Sequence, residues 1–293
     1  YHSTWMGDIV YFDATHPGAQ KFVWDRCKEN YYRYGIRCFW LDEAEPEYGP
    51  YDFDNYRYYA GPALQCTNTY PVGYAKGFYE GLKAEGEKEV MSLVRCAWAG
   101  SQKYGVLTWS GDIYSSFRSM REQLQAGLSM GMAGIPWWTS DIGGFLGGQI
   151  DKPEFQELLV RWFAWGAFCP VFRMHGERSP WYEREEEFRN GVRQLTSGQD
   201  NEVWSFGEDN YEILKKYLFI RERLRPYVRK CMEEASNSGA PVMRPLFYEF
   251  PKDAECWNVE DSYMFGSDLL VSPVMEAGAA ERRIYLPAGC KWT

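Results

Sequence analysis

GIRCFWLD, residues 35–42, is a short apolar run that stops at a carboxylate, Asp42. A segment this short and apolar on both faces reads as a buried parallel strand, although periodicity alone also allows a buried piece of helix. The phrase returns along the chain. Residues 89–94 stop at Arg95, residues 105–109 lead to Asp112, residues 134–138 to Asp141, and residues 170–172 to Arg173 and His175. Helical patterns precede or separate these runs at residues 17–34, 71–85, 114–130 and 153–166, with Pro17, Pro71 and Pro153 at their starts, where the missing N–H costs nothing. Strand alternating with helix implies an α/β fold with a parallel sheet and right-handed crossovers. The repeats amount to about five-eighths of a closed (β/α)8 barrel. A doubly wound sheet fits the count equally well. What favours the barrel is a reactive side chain at each strand end, as on the carboxyl-terminal rim where several strands converge on one site.

The pattern changes after His175. Residues 183–193 are highly charged and read as a solvated loop or helix, and residues 208–236 as a long amphipathic helix. Gly239-Ala240-Pro241 breaks the chain. Strand-like runs follow at residues 242–250, 262–274 and 282–286, the opening of a β domain.

Composition removes several classes. The 293 residues carry a net charge of −9, which argues against a nucleic-acid partner. A hydrophobic content of 45% with 25% charged residues is that of a globular chain. The most apolar stretch, residues 162–172, contains Gly166 and Pro170 and is too short to cross a bilayer. The 8 cysteines show no C-x-x-C spacing, so reduced thiols are expected, which favours the cytoplasm without assigning a compartment. Only three histidines are present, so no histidine-based metal centre is expected. The chain has no start methionine and ends at Lys291-Trp292-Thr293, and it reads as a piece of a longer protein with unpaired strand edges, poorly soluble or inactive by itself. Aromatic residues reach 18%, and such rings either fill a core or stack on flat ligands such as sugars.

Asp42 follows Phe39-Trp40-Leu41, and Asp112 follows Trp109-Ser110-Gly111, so each carboxylate lies close to a tryptophan at a strand end. Glycoside hydrolysis needs two carboxyl groups across the scissile bond, one of them a proton donor kept protonated by its surroundings. Aspartates after strands also cap the next helix, and that reading stays open. Asp141 sits in a glycine-rich turn that serves equally as a tight strand-to-helix connection. Arg95 suits either a sugar hydroxyl or a structural ion pair, and His175 either a sugar hydroxyl or a structural role.

Taken in order, these segments resemble glycoside hydrolase family 31, a family of retaining α-glycosidases. Phe39 to Pro46 (FWLDEAEP) resembles its nucleophile motif, Arg95 with Ala99-Gly100-Ser101-Gln102 its arginine segment, and Trp109 to Asp112 (WSGD) its acid/base motif. Trp138 to Phe145 (WTSDIGGF), Phe172 to Gly176 (FRMHG) and residues 262–274 are similar to later segments of the family. The resemblance implies Asp42 as nucleophile, Asp112 as acid/base, and Trp40, Arg95, Trp109, Asp141, Phe172 and His175 about the sugar. It also implies a partial barrel over residues 1–238 and the start of an antiparallel β-sandwich over 239–293. The partner implied is a carbohydrate with a terminal α-linked glucose or xylose unit, no metal or organic cofactor is implied, and a homo-oligomer is allowed. Transglycosylases, α-galactosidase-type members and a catalytically silent binding homologue share the scaffold. Family α-glucosidases often carry Met-Asn after the nucleophile, where this chain has Glu43-Ala44.

Overall fold

The structure is a computed structural model and describes residues 2–3, 9–46, 52–180, 188–189, 192–193 and 198–293. It divides into two compact units, Tyr1–Trp109 and Ser110–Thr293, each described by itself.

In the first unit, α1 (Pro17–Asn30) begins with proline, and the His16 ring nitrogen caps it by accepting from the Gly18 and Ala19 N–H groups. Then come β1 (Phe39–Leu41), α2 (Tyr70–Ala84), β2 (Ser92–Val94) and β3 (Val106–Trp109). The three strands are parallel: Leu41 faces Val94, and Val94 faces Thr108. Helix α2 buries Tyr70, Ala75, Phe78 and Leu82, and each large apolar side chain removed from water contributes roughly 1.5–3 kcal/mol. Two glycines permit this packing. A Cβ at Gly81 would stand 2.2 Å from the Trp24 indole, which fixes how closely α1 and α2 approach. Gly105 has φ +63, and a Cβ there would lie 2.1 Å from the Val90 carbonyl, so the turn into β3 admits no side chain.

The second unit holds α3 (Phe117–Met132), β4 (Trp138–Thr139), α4 (Pro153–Gly166), α5 (Glu208–Ser238), β5 (Met243–Pro245), β6 (Tyr263–Phe265) and β7 (Leu269–Val271). Its core gathers Met120, Leu124, Trp138, Trp162, Trp165, Tyr263 and Phe265 at near-zero exposure. Strands β5, β6 and β7 form an antiparallel sheet, Arg244 facing Met264 and Met264 facing Leu270.

Several sequence expectations change here. The helix expected from residue 114 starts at Phe117, because Tyr114 bridges Leu146 and the Ser116 hydroxyl caps the Ser119 N–H. Residues 170–172 form no strand. Only the Val171 N–H reaches the Trp138 carbonyl, Pro170 has no N–H to give, and the Arg221 guanidinium takes the carbonyls of Ala167, Cys169 and Pro170. Within residues 242–250, strand β5 gives way at once to a helical turn, Leu246–Glu249. Residues 282–286 form no strand either. Arg282 donates to the Asp261 carbonyl and Tyr285 to the Asp253 carboxylate, so side chains hold the segment in place of a ladder. The charged stretch 183–193 lies outside the described residues apart from a short antiparallel pairing of Phe188–Arg189 with Val192–Arg193. No helix among the described residues is long and apolar enough to cross a membrane.

Candidate active site

Strand register places the candidate residues of the first unit. Because Leu41 pairs with Val94, the residues that follow, Asp42 and Arg95, leave the carboxyl ends of adjacent parallel strands side by side. Arg95 Nη1 stands 3.5 Å from Asp42 Oδ1, while Arg95 Nη2 binds Glu45 Oε1 at 2.7 Å. The guanidinium is mostly buried and the Asp42 side chain is half exposed, so a fixed cation backs a carboxylate that remains open to a ligand. Of the two roles the sequence allowed for Arg95, the ion pair is present, and its strong partner is Glu45. That glutamate was not singled out in the sequence, although it lies three residues past Asp42 in the same motif. Cys96, whose Sγ lies 3.7 Å from Glu45 Oε2, has its thiol pushed up to about 12 by burial and by that carboxylate, which keeps it neutral.

Trp40 and Trp109 meet edge to face, 5.6 Å between centroids at 79°. Trp109 is buried and Trp40 is 50% exposed, so Trp40 offers the open aromatic face and Trp109 supports it from beneath.

Other candidate residues lie in the second unit. Asp112 is exposed, on a turn where Gly111 takes φ +79. The Phe145 and Leu146 N–H groups both donate to the Ile113 carbonyl, and the Ser115 N–H to the Leu146 carbonyl, so the Asp112 turn is tied to the segment after Asp141. Asp141 is fully buried. Its Oδ1 accepts from Arg173 Nη1 at 2.5 Å, and its Oδ2 has no hydrogen-bond partner among the described residues. Burial pushes the Asp141 carboxyl up to about 7; Arg173 and Arg178 pull it down, and Asp112 pushes it further up. A buried pair with Arg173 makes Asp141 a support of the loop. His175 is half-buried and stacks on Phe145, 5.5 Å between centroids at 29°. Phe172 packs edge-on against Phe163 at 4.6 Å, which puts it against the core.

Arg178 organises these segments, and no sequence signal pointed to it. The residue is wholly buried, with Nη1 on the Gly144 carbonyl at 2.8 Å, Nη2 on the Ile142 carbonyl at 3.0 Å and Nε on Asn201 Oδ1 at 2.8 Å. It also lies over the Phe155 ring, 5.0 Å from the centroid. Arg178 pairs in register with Gly148, and the Glu177 N–H donates to the Phe145 carbonyl. The loop bearing Asp141 and the segment bearing His175 are therefore fastened to each other by the Arg178 guanidinium, along with the Glu177 N–H and the Arg173–Asp141 pair. Among the described residues no group of histidine, cysteine and carboxylate side chains is disposed to hold a metal ion.

Residues 1–230 match the glycosyl hydrolase family 31 TIM-barrel domain, and residues 239–293 match the family 31 C-terminal domain. The chain belongs to glycoside hydrolase family 31. Its alternating strands and helices are thus part of the family 31 (β/α)8 barrel, and its antiparallel strands follow that barrel. The chain is 60% identical to a family 31 α-xylosidase from a soil metagenome, solved in complex with xylose, with a TM-score of 0.95 over 99% of this chain and 43% of that one. An α-xylosidase from Saccharolobus solfataricus is 33% identical across 92% of the chain and 36% of its own length. A protein described as an uncharacterized family 31 glucosidase, from Pseudescherichia vulneris, is 67% identical over 175 residues, 60% of this chain and 33% of its own length. The chain therefore spans between a third and a little under half of these family 31 relatives.

Proposed function

We propose that the protein carrying this chain is a retaining α-glycoside hydrolase that releases a terminal α-linked sugar, with Asp42 as nucleophile and Asp112 as acid/base. The observation that carries the reading is the pairing of Asp42 with Arg95 at the carboxyl ends of adjacent parallel strands. A half-exposed carboxylate backed by a largely buried guanidinium is held in place and open to a ligand, as a nucleophile must be. Asp112 donates its proton to the glycosidic oxygen while Asp42 bonds to the anomeric carbon, and the bond to the leaving group breaks. Asp112, now ionised, takes a proton from water, and that water displaces Asp42 to release an α-configured sugar. Trp40 supplies an apolar face to the ring, and His175, oriented by its stack on Phe145, supplies a hydrogen bond to a hydroxyl. Asp141, paired with Arg173, supports the site from within the protein.

Likeness to an enzyme solved with xylose supports an α-xyloside as the first substrate to try. We place the barrel over residues 1–238 and the β domain over 239–293, since α5 ends at Ser238 on a left-handed Gly239 cap. The test is a panel of aryl α-glycosides (xyloside, glucoside, galactoside) with proton NMR of the first-formed product. An α product from the xyloside, lost in Asp42→Ala, is expected. A first-formed β anomer, or turnover by Asp42→Ala, would reject the mechanism, and sugar binding without turnover would favour a silent homologue.

A further inference from the structure

Glu43, immediately after the proposed nucleophile, takes φ +49, a left-handed conformation that residues with a side chain adopt at a cost. The turn has a consequence for Asp42: it swings the Glu43 N–H onto Asp42 Oδ1, at 2.9 Å. Arg95 Nη1 approaches that same oxygen. Oδ2 receives no hydrogen bond from the described residues of this unit. The turn is tied from a distance, because the Tyr11 hydroxyl donates to Glu43 Oε2 at 2.7 Å, 32 residues back along the chain. Glycine would make such a turn without strain. Here a glutamate makes it and is held there through its side chain.

We propose that Tyr11 and Glu43 are positioning residues for Asp42: their hydrogen bond holds the left-handed turn whose N–H grips Oδ1, which assigns Oδ2 as the attacking oxygen. The proposal rests on the function argued above. A lone pair of Oδ2 forms the bond to the anomeric carbon. The carbon–oxygen bond to the leaving group breaks, and its electron pair stays on the glycosidic oxygen, which takes the Asp112 proton. In the second half, water attacks the anomeric carbon and gives a proton to Asp112, and the bond to Oδ2 breaks with its pair returned to Asp42. A carboxylate with one oxygen fixed cannot swivel away from the anomeric carbon, so the tie acts on the rate of bond formation and not on sugar affinity.

The experiment is trapping of the glycosyl–enzyme by 5-fluoro-α-D-xylosyl fluoride in the protein carrying this chain. It separates the labelling rate constant from the dissociation constant, and the thermal midpoint is measured alongside. Loss of a hydrogen bond to a charged group predicts that Tyr11→Phe labels roughly 10-fold or more slowly, with the dissociation constant and midpoint nearly unchanged. Glu43→Gln keeps an acceptor for the hydroxyl and should label within about threefold of the parent. Glu43→Gly permits the turn but no longer holds it, so it should match Tyr11→Phe, and the double variant should be no slower than either single one. Parental labelling by both Tyr11→Phe and Glu43→Gly overturns the proposal, as does multiplied loss in the double variant. Should Tyr11→Phe fail to fold, the contrast between Glu43→Gly and Glu43→Gln decides alone. A parent that is not labelled at Asp42 instead counts against the proposed function.

Discussion

Replacing Arg178 tests whether one guanidinium fastens the Asp141 loop to the His175 segment. In Arg178→Met the volume against Phe155 is roughly kept, but the bonds at 2.8 Å to the Gly144 carbonyl and 3.0 Å to the Ile142 carbonyl are lost. Both residues are buried, so no water replaces the donor. A buried acceptor left without a partner costs about 1–3 kcal/mol, and two give about 2–6 kcal/mol. Methionine offsets part of this, since a buried cation no longer has to be desolvated, and burial already holds the Arg178 guanidinium down at about 10. The expected net loss is about 3 kcal/mol, or about 6–12 °C in the midpoint of a large domain. Differential scanning fluorimetry reads the midpoint, and steady-state kinetics on an aryl α-xyloside reads the site, where kcat/KM should fall as Asp141 and His175 lose their registry. Arg178→Lys restores charge without the fork and should recover only part of the loss. A midpoint within about 2 °C of the parent, with full activity, would show that the loops hold without the clamp.

Three further outcomes follow from named contacts. Gly176→Ala should destabilise as strongly as loss of Arg178, because φ is +153 and the added Cβ would lie 2.4 Å from Arg178 Nη1; Gly35→Ala, with φ +99 and open space around it, should cost only about 1–2 kcal/mol of backbone strain, and thermal midpoints compare the two. Burial raises the Asp141 carboxyl from its ordinary 3.8 to about 7, so between those values the folded chain keeps a proton that the unfolded chain has released, and stability falls as pH rises through that window. Asp141→Asn should therefore lose less stability than the parent between pH 5 and pH 8, read from urea midpoints at each pH. Trp40→Ala should raise KM with little change in midpoint, because its ring is 50% exposed, whereas Trp109→Ala, at 1% exposure, should cost about 3–5 kcal/mol of stability, as kinetics and thermal melts on the same samples will show.

What could be read in the sequence was whatever depends on neighbours along the chain. The run ending at Asp42 announces a strand by its own apolar residues, and the register of that strand with the run ending at Arg95 then brings the two together. The helix over Pro153–Gly166 was legible for the same reason, with a proline at its start and an apolar stripe along it. Residues 170–172 misled because their apolar character is real but serves another purpose. Phe172 packs on the core, while Arg221, some fifty residues later, claims the Pro170 carbonyl together with those of Ala167 and Cys169. Phe172 was read as a pocket wall from its place in the FRMHG segment, and the structure adds that its ring packs against Phe163 on α4. Arg178, Arg221 and Arg244 share one property that no local pattern reveals: each is a cation that reaches a backbone carbonyl or a carboxylate on another segment. Buried arginines are rare enough that an arginine in a sequence is read as surface. In this chain they tie loops that lack regular ladders, which is why the supports of the site, more than its reactive groups, had to wait for the structure.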